Sequence, residues 1–215
     1  LGFEHATVLT SDDVAVENST YTTGRRGVAG TMIVEKVVGS LAETGVDLAA
    51  CKALGDKVNS RTGSMGVALT SCTVPAAGRQ TFDIGDNELE MGVGIHGEPG
   101  RRREAMRPAD AIVADLVAAI LEDFKSKDLK PAKNSEVLMM INGFGGTPLM
   151  ELYLLYNAAA QLLQRQGISI SRSLVGNYTT ALEMAGASVT VCLLDDEIRN
   201  YWDAPVHTPA LRWGK

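Results

Sequence analysis

The chain has 215 residues, of which 45% are hydrophobic and 21% charged, with a net charge of −6. That is enough apolar material to bury a core in one large domain or two small ones, and it excludes a disordered segment. No apolar run approaches the ~20 residues that span a bilayer, and an acidic chain without a basic, aromatic-interleaved stripe is not built to hold nucleic-acid phosphates.

In chain order, Thr7 to Leu9 is a short strand candidate, followed by the acidic turn Ser11-Asp12-Asp13. Gly24 to Gly30 is rich in Gly and Arg. From Gly30 to Ala42 the residues Met32, Ile33, Val37, Val38 and Leu41 recur at helical spacing, and Gly45 stops that helix. Asp47 is a good N-cap for a second helix, Leu48 to Val58. After Arg61-Thr62-Gly63 the pattern changes: Met65 to Leu69 and Phe82 to Ile84 are short apolar stretches. Glu88 to Ile95 alternates, with Leu89, Met91, Val93 and Ile95 on one side, which predicts a strand. It runs into the loop Ile95-His96-Gly97-Glu98-Pro99-Gly100. The basic cluster Arg101-Arg102-Arg103 reads as a solvated loop. Pro108 stands in the first turn of an amphipathic helix reaching about Phe124. Val137 to Ile141 is a buried strand, joined by the turn Asn142 to Gly146 to a helix from Pro148 to about Gln166. Ile168 to Val175 and Ser188 to Leu194 are further strands, and Asp195 can cap a short helix through Tyr201. Strands alternating with helices predict an α/β fold, with a domain boundary near Arg61 to Ser64.

The cysteines Cys51, Cys72 and Cys192 are odd in number, far apart and form no C-x-x-C, so neither a disulfide framework nor a zinc site is expected. A reducing cytoplasm is the natural compartment. No secretory leader opens the chain, and Leu1 begins in mid-pattern without an initiator Met, which suggests that a front portion is missing. Of the three histidines, His5 lies near that end and His207 in a Pro-flanked tail, each without a clear carboxylate neighbour. His96 differs: it follows the end of a strand, among Gly94, Gly97 and Gly100, where a ligand can approach closely. An imidazole there can be a base, a ligand or a nucleophile, or a turn histidine bonded to its own backbone. No H-x-x-x-H, H-x-H or G-x-S-x-G accompanies it. The turn Asn142 to Gly146 is neither a G-x-x-x-x-G-K-[ST] nor a G-x-G-x-x-G, and reads as structural rather than as a phosphate loop. Asp12-Asp13 and Asp195-Asp196-Glu197 suit helix capping or solvation better than Mg²⁺.

The string Met91-Gly92-Val93-Gly94-Ile95-His96-Gly97-Glu98-Pro99-Gly100 closely resembles the active-site loop of the substrate-binding K subunit of dihydroxyacetone kinases. Ser71 to Gly78, Thr23 to Ala29 and Trp202 to Leu211 resemble other segments of that family, so the likeness covers essentially the whole chain. It implies a two-domain α/β subunit, of which residues 1–62 are the end of the first domain and 63–215 the second, forming a homodimer. It implies that His96 is both the catalytic and the substrate-binding residue, attacking the ketone of dihydroxyacetone or a similar short-chain ketose to form a hemiaminal. The phosphoryl group would come from a separate nucleotide-carrying L subunit holding ADP or ATP with Mg²⁺, with no cofactor or metal on this chain. The K subunits served by a phosphotransferase-system donor are the nearest in type. The family's acid/base histidine and aspartate lie in an N-terminal portion with no counterpart here, and Asp12 and Asp13 match a later segment. The same resemblance allows a non-catalytic dihydroxyacetone-sensing co-regulator, or a kinase for an erythrulose-type ketose.

Overall fold

The computed structural model describes residues 2–16, 24–96, 98 and 100–214. Helix α1 (Gly30–Ala42) and helix α2 (Leu48–Ser60) precede strand β1 (Thr62–Ala68), and a small hairpin of β2 (Thr73–Val74) and β3 (Arg79–Gln80) follows. Strands β4 (Glu88–Met91) and β5 (Arg102–Ala105) come next, then α3 (Ala109–Ser126), β6 (Glu136–Gly143), α4 (Leu149–Arg165), β7 (Ser169–Gly176) and β8 (Gly186–Leu193). The chain closes with α5 (Asp196–Asp203) and a second small hairpin, β9 (Val206–His207) with β10 (Arg212–Trp213). The fold is α/β.

Six strands form one mixed sheet in the order β5-β4-β1-β8-β6-β7, in which β6 and β7 are parallel and the other neighbours antiparallel. Strand β6 lies between β8 and the edge strand β7, and its run Val137 to Ile141 is wholly buried because helices cover both sides. Val137, Met139 and Ile141 pack with Leu116, Ile120 and Phe124 of α3 and with Leu152 and Leu163 of α4. Leu138 and Met140 point the other way, into Ile33 and Val37 of α1, Leu54 and Val58 of α2, and Ile198 and Trp202 of α5. Period two along one strand thus supplies two cores. Burying side chains of this size contributes about 1.5–3 kcal/mol each. A third, smaller cluster of Ala68, Cys72, Val93, Phe144, Ala181 and Met184 lies beyond these cores.

Local signals explain the helix starts. The Asp47 carboxylate accepts from Ala50 N–H at 2.8 Å, and the Asp195 carboxylate from Ile198 N–H at 3.0 Å, so each frees its helix of one unpaired amide. Asp12 serves α1 from a distance in sequence, accepting from Val28 N–H at 2.9 Å and Gly30 N–H at 2.7 Å. The expected boundary falls at the start of β1. The helices before it, α1 and α2, cover the same face of the sheet as α5 after it.

Three expectations need correction. Thr7 to Leu9 belongs to no strand; residues 2–11 run without regular structure. The strand predicted over Glu88 to Ile95 ends at Met91, because Gly92 takes a φ of +80°, which turns the chain out of the sheet. Leu89 and Met91 therefore stay in the main core, while Val93 and Ile95 pack into the third cluster. The Arg101 to Arg103 cluster is not simply a solvated loop, since β5 begins at Arg102 and forms the sheet edge, where charge discourages further pairing.

Candidate active-site loop

Because β5 pairs with β4, residues 92–100 are the loop of a hairpin, and His96 stands on it. The base is pinned from both sides. Arg101 N–H donates to Met91 O at 2.7 Å, Gly92 N–H to Gly66 O at 2.7 Å, and Gly100 N–H to the Glu90 carboxylate at 3.0 Å. The side chains Val93 and Ile95 anchor the ascending arm against Phe144 and Met184. Arg101 also reaches across to the carbonyls of Val14 and Ala15. Gly97 and Pro99, two residues of the predicted loop, lie outside the described residues.

The His96 side chain is 78% exposed, so the ring is not part of an apolar core. Its Nδ1 lies 3.2 Å from Oε1 of Glu98, and its backbone N–H donates to Oε2 of the same carboxylate. Nε2 has no hydrogen-bond partner among the described residues. Burial pushes the Glu98 carboxyl up, but the backbone N–H groups of His96 and of Glu98 itself, together with the imidazole, outweigh it. The net effect holds Glu98 below the ordinary glutamate range, so it is ionised at neutral pH.

Arg26 ties the loop to the body of the protein. Its Nε donates to the Asp13 carboxylate at 2.7 Å and its Nη2 to Gly92 O at 2.9 Å. Burial raises Asp13 above the ordinary aspartate range, with Arg26 and the Ala15 N–H pulling the other way. Gly94 is crowded between two of these groups. A Cβ there would stand 2.2 Å from Glu98 Oε2 and 2.9 Å from Arg26 Nη1.

Three of the four strings that carried the family likeness meet at this end of the sheet: Gly24 to Ala29 through Arg26, Ser71 to Gly78 through Cys72, and the His96 loop itself. The turn Asn142 to Gly146 joins them as a structural element. Phe144 enters the third cluster, and the Asn142 carboxamide fastens the 177–179 segment, accepting from Tyr178 and Thr179 N–H and donating to Thr179 O. The fourth string, Trp202 to Leu211, lies apart. Its His207 lines a concavity of about 630 Å³ beside Glu35, Lys36 and Tyr178, a concavity that does not include His96. His5 is exposed in the unstructured leading segment. Among the described residues, no group of three or more His, Cys, Asp or Glu could hold a metal, and no helix is long and apolar enough to cross a membrane.

The residues the sequence reading left without a role are Glu98 and Arg26. The signal for Glu98 was present, since a carboxylate two residues after a loop histidine can fold back onto its ring. For Arg26 there was none, because its contacts with Asp13 and Gly92 are set by the tertiary fold.

A Dak1 domain matches residues 1–210. The chain is 44% identical over 235 aligned positions to the PEP-dependent dihydroxyacetone kinase, dihydroxyacetone-binding subunit DhaK, of Escherichia coli K12, covering 100% of this chain and 65% of the relative. It is 46% identical to the corresponding subunit of the PTS-dependent dihydroxyacetone kinase 1 of Listeria innocua, covering 88% of this chain and 56% of that one. Among solved structures, the dihydroxyacetone kinase operon co-activator Dha-DhaQ superposes with a TM-score of 0.83 at 30% identity, over 92% of this chain and 60% of that one. The chain thus spans somewhat less than two thirds of the length of the relatives it matches. With a domain match over nearly its whole length, the chain belongs to the Dak1 domain family.

Proposed function

We propose that this chain is the dihydroxyacetone-binding part of a dihydroxyacetone kinase and holds the ketose covalently on His96. The observation that carries the reading is the exposed imidazole on a pinned hairpin loop, with Nδ1 engaged by a carboxylate and Nε2 open. Nε2 would attack C2 of dihydroxyacetone. A covalent bond suits a small polar ketose, which offers few contacts for non-covalent binding, and it selects against polyols that lack a carbonyl. The terminal hydroxyl would then accept a phosphoryl group.

The phosphoryl group comes, in this reading, from a nucleotide-carrying L subunit with ADP or ATP and Mg²⁺, served by a phosphotransferase system. The names of the Escherichia coli and Listeria innocua relatives support that donor. Residues 1–62 are read as the end of a first domain and 63–215 as the second, in a cytoplasmic homodimer. A related ketose such as erythrulose is an alternative substrate.

A second reading, a non-catalytic sensor of the same ketose, is favoured by the likeness to the co-activator structure. Turnover separates the two, since a sensor forms the adduct without phosphorylating it. The test of the shared step is carbon NMR on the full-length protein with dihydroxyacetone labelled at the carbonyl carbon. The carbonyl resonance should move to the region of a tetrahedral carbon, and His96→Ala should abolish the new signal. An adduct of equal intensity in the variant would overturn the assignment.

A further inference from the structure

We propose that Glu98 is the positioning residue of this site: it holds the proton of His96 on Nδ1, turns Nε2 outward as a lone pair, and stabilises the positive ring formed on attack. The inference rests on the reading of His96 as the nucleophile and adds the group that makes the ring competent.

The geometry is specific. One carboxylate oxygen, Oε2, is taken by the His96 backbone N–H, which fixes where the second oxygen stands. That second oxygen, Oε1, lies 3.2 Å from Nδ1. The Gly94 N–H donates to the Glu98 carbonyl at 3.2 Å, so main chain and side chain of Glu98 are both tied to the loop. An ionised carboxylate can only accept, so Nδ1 must carry the hydrogen and Nε2 must be the basic nitrogen. Arg26, engaged by Asp13 and Gly92 O, and Glu98 both come close to where a Cβ on Gly94 would stand.

The covalent step balances as follows. Nε2 donates its pair to C2, and the carbonyl π pair moves to the ketone oxygen. The ring is then cationic and still protonated on Nδ1, while the oxygen is anionic. A proton taken from solvent then converts that oxygen to a hydroxyl, giving a hemiaminal whose ring stays cationic, protonated on Nδ1 and paired with the Glu98 carboxylate. Glu98 acts on the cationic ring in the manner of an orienting carboxylate beside a histidine, without itself touching the ketose.

The experiment uses full-length protein labelled with ¹⁵N-histidine, His96→Ala assigning the ring signals. In wild type the neutral ring should be the Nδ1–H tautomer, and Glu98→Ala should shift it to the Nε2–H tautomer that free histidine prefers. With carbonyl-labelled dihydroxyacetone, Glu98→Ala should weaken adduct formation roughly tenfold, the scale of one charge-assisted hydrogen bond. Glu98→Asp should recover part of that loss. Glu98→Gln, which keeps the size and removes the charge, should also weaken the adduct and guards against a folding defect in the alanine variant. An unchanged tautomer and an undiminished adduct in both Glu98→Ala and Glu98→Gln would overturn the role of Glu98 while leaving the nucleophile standing. Persistence of the adduct in His96→Ala would instead remove the reading beneath it.

Discussion

The carboxylate of Asp12 is the most heavily loaded buried acceptor at the junction between the leading segment and the sheet, and Asp12→Asn tests how that junction is held. Asp12 is 1% exposed. Its Oδ1 accepts from Val28 N–H at 2.9 Å, and its Oδ2 from Gly30 N–H at 2.7 Å and from Ser64 Oγ–H at 2.6 Å. A carboxylate accepts from all three, whereas a carboxamide has one oxygen and one NH₂. The best orientation of Asn keeps the oxygen toward Gly30 and Ser64 and sets the NH₂ against the Val28 N–H. One charge-assisted bond is lost and two donors face each other in a buried place, at a cost of about 1.5–3 kcal/mol. For a chain of this length, 1 kcal/mol shifts Tm by roughly 2–4 °C, so the midpoint should fall by about 3–12 °C. Differential scanning calorimetry and urea titration at pH 7 measure this, and an unchanged m-value shows that only stability moved. A melt indistinguishable from wild type would refute the reasoning, since it would mean that Asp12 does not satisfy those donors.

Two further outcomes follow from the same kind of bookkeeping. Cys192 is fully buried between sheet and helices, and burial pushes its thiol up to about 11, while Cys51 is only partly buried. A thiol reagent at pH 8 should label Cys51 in the native protein and reach Cys72 and Cys192 only on unfolding; native labelling of Cys192 at the rate of Cys51 would contradict this packing. Asp203 is held below the ordinary aspartate range, first by its paired hydrogen bonds from Arg172, at 2.6 Å each, against a smaller opposing effect of burial. Its folded value lies below the unfolded value of ~3.9, so its contribution is fully present above that pH and is lost as pH falls through the folded value. Asp203→Asn should therefore flatten the acid limb of the stability-versus-pH curve, and an acid limb of unchanged steepness would argue against the pair.

Much of the fold was legible because its elements carry their own signals. The apolar run of β6, the helical spacing of α1 and α3, and the caps at Asp47 and Asp195 are local properties of the chain. β1 was read short because Thr62, Gly63 and Ser64 are small or polar residues buried by the strands and helices around them, not by their own hydrophobicity. β5 was missed because a charged edge strand resembles a loop until its partner is known. The alternation of Glu88 to Ile95 promised a longer strand, and the positive φ of Gly92 broke it. The candidate residue His96 stood out through its glycine-rich setting. Its relation to Glu98 depends on how the loop folds back, and that of Arg26 on contacts with Asp13 and Gly92 from distant parts of the chain.

The central claim is a bond between His96 and the ketose. A crystal structure of the full-length protein soaked in dihydroxyacetone tests it most directly. The account predicts continuous density from Nε2 of His96 to C2 of the ketose, with a tetrahedral carbon and with Nδ1 still against Glu98. A ketose that retains a planar carbonyl, or that occupies another site while His96 stays unmodified, would contradict it.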